Sequence, residues 1–182
     1  PNYGLVSIAG NVDDICTVHV ADLHAVKKPI NYLEGILRNG YDLVGLSCMS
    51  FQYHAMLPLA RMAKESGAET VFGGYHPTLN YDEIAESEEG RLADYVVRGE
   101  GEATFRELIE AIDEGRDLGE VKGLSYWQGD HMVHNPPRPV LDVSEIKMPN
   151  RDSRLITTGF QSFGIPIDSV ETSRGCTNGC KF

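Results

Sequence analysis

The feature that most constrains this chain is a near-continuous apolar run, Leu43-Val44-Gly45-Leu46-Ser47-Cys48-Met49, flanked on both sides by helical patterns. A strand without polar alternation is expected to be buried on both faces, as in parallel sheets covered by helices. Shorter strands are predicted at Ile15 to Val20, ending at Asp22, and at Thr70-Val71-Phe72 and Tyr95-Val96-Val97. Pro29 opens a helix to about Asn39, with Ile30, Leu33, Ile36 and Leu37 on one face and Gly40 beyond its end. Further helices are predicted from about His54 to Ser66, closed by Gly67, near Asp82 to Ser87, and from about Ala103 to Glu114. Alternating strands and helices with short links predict an α/β fold, a doubly wound parallel sheet. Tyr3 to Gly10 fits a strand or a helix, and its periodicity does not decide between them.

Beyond Glu114 the pattern changes. Gly123 to Trp127, a turn at Gln128-Gly129-Asp130, and His131 to His134 predict an appended β-hairpin. Pro136, Pro137, Pro139 and Pro149 make the next stretch extended and poor in regular structure. The expected organisation is an α/β domain with its hairpin over 1–135, a linker over 136–168, and a last segment over 169–182. In that segment Ser169-Val170-Glu171-Thr172 would be a strand feeding a cysteine loop.

The 182 residues suffice for one packed domain plus a tail, and 41% hydrophobic with 24% charged residues is an ordinary globular balance. A net charge of -11 and the lack of any Lys/Arg cluster argue against a nucleic-acid partner. No apolar run is long enough for a membrane span, and the start lacks a basic-then-apolar leader, so the expected location is cytoplasmic. Cys16 and Cys48 lie in apolar runs, while Cys176 and Cys180 have close ligand spacing. That distribution favours reduced thiols over a disulfide framework.

Parallel sheets bind ligands at the carboxyl ends of their strands. Three such ends are distinctive here: Ser47-Cys48-Met49-Ser50, Gly73-Gly74-Tyr75-His76 and Arg98-Gly99-Glu100-Gly101-Glu102. Paired glycines after a buried strand permit a tight turn and close approach of a bulky ligand, although a plain strand-to-helix turn needs them equally. Ser47 could donate to a ligand or cap the following helix. The glutamates of the third stretch could line a crevice or favour the start of the next helix. His76 suits a satisfied loop position as well as a ligand contact, and Cys16 and Cys48 are most simply core residues. His19, His24, His54, His131 and His134 show no metal-ligand spacing.

The strongest motif is Arg174-Gly175-Cys176-Thr177-Asn178-Gly179-Cys180-Lys181-Phe182. Two cysteines at this spacing are the first two thirds of a CxxxCxxC loop, in which three thiolates hold three irons of a cluster and leave a fourth iron open. The third cysteine is expected at the next position. Taken alone, the pair would also fit a zinc half-site or two free thiols. With two ligands, these residues are expected to hold no cluster by themselves.

Taken together, the chain resembles the radical S-adenosylmethionine enzymes that carry an N-terminal cobalamin-binding domain of Rossmann-like fold. The resemblance rests on Asp42 to Ser47, Val71 to Thr78, Asp94 to Glu102, Gly123 to Tyr126 and Val170 to Cys176, in that order and spacing. It implies that Cys176 and Cys180 are two ligands of a [4Fe-4S] cluster whose open iron binds S-adenosylmethionine. Reductive cleavage there would give a 5′-deoxyadenosyl radical for methyl transfer or oxidative cyclisation on a substrate the sequence does not specify. By position, Ser47 and the Gly73-Gly74 turn would line the cobalamin nucleotide tail and Gly99 to Glu102, with Glu100 and Gly101 between them, the neighbouring crevice, while Met49, Ser50 and His76 would also contact the cobalamin. No catalytic residue is expected in this stretch, which alone would be inactive.

The resemblance also makes Tyr3 to about Asn11 the first helix, with a preceding strand expected outside the sequence. The DxHxxG loop that supplies an axial histidine in cobalamin mutases is not matched. Asp22-Leu23-His24-Ala25-Val26-Lys27 lacks the glycine, so no histidine ligand to cobalt is expected. Two other classes share the fold. A flavodoxin would need a Ser/Thr-rich phosphate loop, and a receiver domain an acidic pocket with a lysine; neither pattern is present. A non-catalytic ligand-binding or interaction module remains the alternative function.

Overall fold

A computed structural model describes residues 2–175. Its main sheet has the order β1-β2-β3-β4-β5, formed by β1 (Leu43–Ser47), β2 (Glu69–Gly73), β3 (Tyr95–Val97), β4 (Leu124–Gln128) and β5 (His131–His134). The first three strands are parallel and the last two antiparallel. Gln128 pairs with His131 across a two-residue turn in which Gly129 has φ 64°, the positive value such tight hairpins require. The predicted hairpin therefore exists and extends the parallel sheet through β3 rather than standing apart from it.

Helices cover both faces. Strand side chains alternate, so Phe72 and Val96 meet α3 (Tyr53–Glu65) through Met56, Leu57 and Ala60, while Val71 and Val97 meet α6 (Gly101–Glu114) through Leu108 and Ala111. Burial of each such side chain contributes about 1.5–3 kcal/mol. Beside α6 lies α1 (Tyr3–Val12), which is helical as the resemblance implied, and α2 (Pro29–Leu37) lies beside α3. Pro29 sits at the start of α2, where its missing N–H costs no hydrogen bond. Two short helices, α4 (Tyr75–Leu79) and α5 (Tyr81–Glu86), link β2 toward β3; the first follows directly on the Gly73-Gly74 turn. Among the described residues no helix is long and apolar enough to cross a membrane.

Three expectations are corrected. Ile15 to Val20 is not a sheet strand, and its sole pairing is an isolated bridge from Val20 to Arg154. Its apolar residues Val18 and Val20 pack instead on Val6 and Ala9 of α1, which accounts for a strand-like pattern without a ladder. The apolar run at β1 is not buried on both faces. It ends at Ser47 on the sheet edge, with Leu43, Val44 and Leu46 half-buried. Ser169 to Thr172 forms no strand.

The stretch after the hairpin has little regular structure: one 3-10 turn at Val143–Glu145 and a small hairpin of β6 (Gln161–Ser162) and β7 (Ile165–Pro166). It is nevertheless fastened to α1. The Asn150 N–H donates to the Val6 carbonyl at 2.9 Å, the Lys147 N–H donates to the Asn11 side chain at 3.1 Å, and Lys147 pairs with Asp14 at 2.7 Å. A Cβ on Gly10 would lie 2.0 Å from the Met148 carbonyl, so this helical glycine is what lets the strap lie flat on α1.

Candidate functional site

The carboxyl ends of β1, β2 and β3 form one open edge. At Ser47 the chain leaves β1, and the Cys48 N–H donates to the Gly73 carbonyl at 3.1 Å while the Cys48 carbonyl accepts from the His76 N–H at 3.2 Å. Gly74 lies between them with φ 89°; a Cβ there would stand 2.7 Å from Ser47 Oγ and 2.9 Å from the Cys48 carbonyl. Its missing side chain is therefore occupied by the protein itself, interlocking two strand ends. Gly73 and Gly99 differ. A Cβ on Gly73 would meet nothing nearer than 3.8 Å, and one on Gly99 nothing within 4 Å. Gly99 has φ 76° and donates its N–H to Thr78 Oγ1 at 3.0 Å, which ties the third strand end to α4.

Apolar side chains around this opening are unusually bare. Phe51 is 83% exposed, Leu79 72%, Tyr75 68% and Met49 42%. Single exposed apolar residues need no explanation, but these four share the segments that follow β1 and β2, Tyr75 and Leu79 at the two ends of α4, and give the strand ends an apolar surface. Ser47 and Ser50 are exposed among them.

The other predicted residues have structural partners. The His76 ring lies within 3.2 Å of Ser50 Oγ and 3.1 Å of Asn80 Nδ2, and stacks at 4.2 Å on Tyr53. Burial lowers its pKa below the ordinary imidazole value, favouring the neutral ring. A Cβ on Gly101 would sit 3.1 Å from Ile8 Cδ1, so this glycine lets the start of α6 approach α1. Glu100 is half-buried, and its Oε2 is enclosed without a hydrogen-bond partner. Cys48 lies in the α3-side core, where burial pushes its thiol up to about 11, consistent with an inert core residue. Cys16 is also a free thiol. Cys176 and Cys180 lie outside the described residues, and among the described residues no cluster of three His, Cys, Asp or Glu could hold a metal.

His24 stands at the rim. Its Nε2 lies 2.7 Å from Gln52 Nε2 and its Nδ1 3.2 Å from Asp22, while Gln52 Oε1 accepts from the Met49 N–H. With the Gln52 oxygen committed to Met49, its amide N–H donates to His24, so both ring nitrogens are engaged. Sequence reasoning missed Phe51, Tyr75, Thr78 and Leu79. Tyr75 and Leu79 recur at helical spacing, a pattern that resembles a core-facing stripe until the surrounding topology is known.

An α/β sheet with helices on both faces belongs to the class of folds that hold ligands at the carboxyl ends of their parallel strands. The B12 binding domain model matches residues 1–109, and the chain belongs to that family. An uncharacterized methyltransferase of Pyrococcus horikoshii is 33% identical over 186 residues, covering 100% of this chain and 40% of that protein. An anaerobic magnesium-protoporphyrin IX monomethyl ester cyclase of Synechocystis is 29% identical over 114 residues, covering 62% of this chain and 22% of that one. Among solved structures, the cobalamin-dependent S-adenosylmethionine radical enzyme OxsB, with aqua-cobalamin and S-adenosylmethionine bound, superposes with a TM-score of 0.68. It shares 21% identity over 82% of this chain and 21% of its own, a likeness of fold. The chain thus spans two fifths or less of the length of these proteins.

Proposed function

We propose that this chain is the cobalamin-holding domain of a radical S-adenosylmethionine enzyme that performs methyl transfer or oxidative cyclisation. The observation that carries this reading is the carboxyl edge of the parallel sheet, where Gly99 has open space beside it and Met49, Phe51, Tyr75 and Leu79 stand exposed on the segments that follow β1 and β2. This surface fits a corrinoid, whose broad ring and nucleotide tail need apolar area and close backbone approach together. Ser47, Met49, Gly73 and Gly99 would touch the ligand. Ser50, Gly74, His76, Glu100 and Gly101 would shape the walls, the His76 ring fixing Ser50 and Gly101 fixing the start of α6.

When bound, cobalamin supplies a cobalt centre able to carry a methyl group, and the side chains here orient and shield it. No histidine of this chain ligates the cobalt in this reading, supported by the engagement of both His24 nitrogens with Asp22 and Gln52. Cys176 and Cys180 would be two ligands of the [4Fe-4S] cluster that binds S-adenosylmethionine, and with two ligands these residues alone would be inactive. The free edge of β1 and its half-exposed Leu43, Val44 and Leu46 support a further strand pairing there. A domain over 1–135, a connector over 136–168 and the beginning of a barrel over 169–182 complete the organisation. The buried, unpaired Cys48 supports a reducing, cytoplasmic setting, and the charge of -11 supports a small-molecule rather than a nucleic-acid partner.

Titration of hydroxocobalamin, followed by its visible spectrum, tests the reading. A saturable spectral change is expected. Its absence would favour a module that has lost the corrinoid.

A further inference from the structure

The chain leading to the cysteine loop does not simply pass the α/β domain. Arg174, two residues before Cys176, reaches back to Glu102 in the first turn of α6, with Nη1 2.8 Å from Oε1. Ser7 of α1 donates its hydroxyl to the same oxygen at 2.7 Å. The remaining guanidinium nitrogens bond Glu171 Oε2 at 3.0 and 2.8 Å. Glu102 is 4% exposed and Ser7 fully buried, while the Arg174 side chain is 18% exposed. A carboxylate this deep is costly without a cation, and the one basic residue of α6, Arg106, is engaged elsewhere, with Asp14 and Glu110. Arg174 is thus the counter-ion of Glu102, supplied from 72 residues away in sequence.

The position of Glu102 gives this pair a consequence. The residue directly follows Gly99, Glu100 and Gly101, the third wall of the crevice, and Gly101 is pressed against Ile8 of α1. One buried carboxylate therefore joins three parts: the first helix, the crevice loop and the segment that carries the cysteines. We propose that Glu102 is a positioning residue that fastens the segment ending at Arg174, the lead into Cys176, to α1 and the start of α6, with Ser7 orienting its carboxylate and Arg174 as the seated group. This inference rests on the cobalamin reading for its purpose, and on the ion pair alone for its geometry.

Trypsin tests the seating, since cleavage after Arg174 requires its guanidinium to leave Glu102. Glu102→Gln keeps the shape of the side chain and removes its charge. It is expected to accelerate scission of the Arg174–Gly175 bond at least about tenfold, with cleavage after Lys64 and Arg106 unchanged, because losing one partner of a buried pair frees the other. Arg174→Lys, still a trypsin site and still able to reach Glu102, is expected to retain most of the protection. Unaltered scission in Glu102→Gln, or equal acceleration at every site, would overturn the proposal. If Glu102→Gln fails to fold, Ser7→Ala decides: scission about two- to threefold faster is expected from loss of one hydrogen bond, and no change overturns the proposal. Hydroxocobalamin retention measured on the same samples separates the two readings. Protection at Arg174 without corrinoid binding refutes the cobalamin reading and leaves the seating intact, whereas binding without protection does the reverse.

Discussion

The two edges of the parallel sheet are built in opposite ways. At the amino edge polar groups close on one another: Asp94 accepts from Lys64 at 2.6 Å, from the Thr70 N–H at 2.8 Å and from Thr70 Oγ1 at 3.0 Å, and the Tyr95 hydroxyl donates to Glu69 at 3.1 Å. At the carboxyl edge Gly99 faces open space and four large apolar side chains stand in solvent. A protein selected for stability alone would have closed both. The contrast assigns folding energy to one end and ligand binding to the other, as the arrangement of dipoles and loops in parallel sheets favours.

If that division holds, mutations at the two ends separate stability from binding. Asp94→Ala is expected to have the largest effect on stability, about 2–3 kcal/mol in urea unfolding, because it takes the acceptor from Lys64 and from the Thr70 N–H, while the Thr70 hydroxyl keeps the Leu92 carbonyl. Corrinoid affinity of its folded fraction should be unchanged. Gly74→Ala bridges the comparison. Its Cβ would collide with Ser47 and Cys48 at a φ of 89°, so roughly 1–3 kcal/mol of stability should be lost together with binding. Loss of binding without loss of stability would show that Gly74 serves the ligand directly.

The edges should also differ in pH response. Burial depresses the His76 pKa at the carboxyl edge, so its contribution is complete above 6.5 and declines as pH falls through its folded value. Burial, with Glu69 beside it, raises the Tyr95 pKa at the amino edge. That contribution is complete below 10 and is lost as the pH rises through its folded value. His76→Asn should therefore flatten the acid limb of a stability profile and Tyr95→Phe the alkaline limb. His134, also depressed by burial, adds to the acid limb and leaves a residual slope in His76→Asn.

Much of the carboxyl edge was legible in the sequence because its signals are local. Ser47, Gly73-Gly74 and Gly99 punctuate apolar runs, and a run followed by glycine marks a strand end whatever it pairs with. Features that depend on distant partners were not legible. Ile15 to Val20 has the composition of a strand, yet α1 absorbs its apolar residues before any ladder forms. The strap over α1 is held by Asn11, Lys147 and Asn150, polar residues of a kind that ordinarily face solvent. Arg174 appeared only as the lead into the cysteine loop, since nothing local shows that its partner is Glu102.

The central claim is that the open carboxyl edge holds a corrinoid, and Gly99→Leu probes it most directly. Its side chain would enter space that is empty within 4 Å, at a backbone cost of about 1–2 kcal/mol for the left-handed conformation. Wild-type protein loaded with hydroxocobalamin is predicted to carry the cofactor's visible absorbance through gel filtration. Gly99→Leu, still folded by circular dichroism, is predicted to lose it. Equal retention by the two proteins, or none by wild type, would contradict the account.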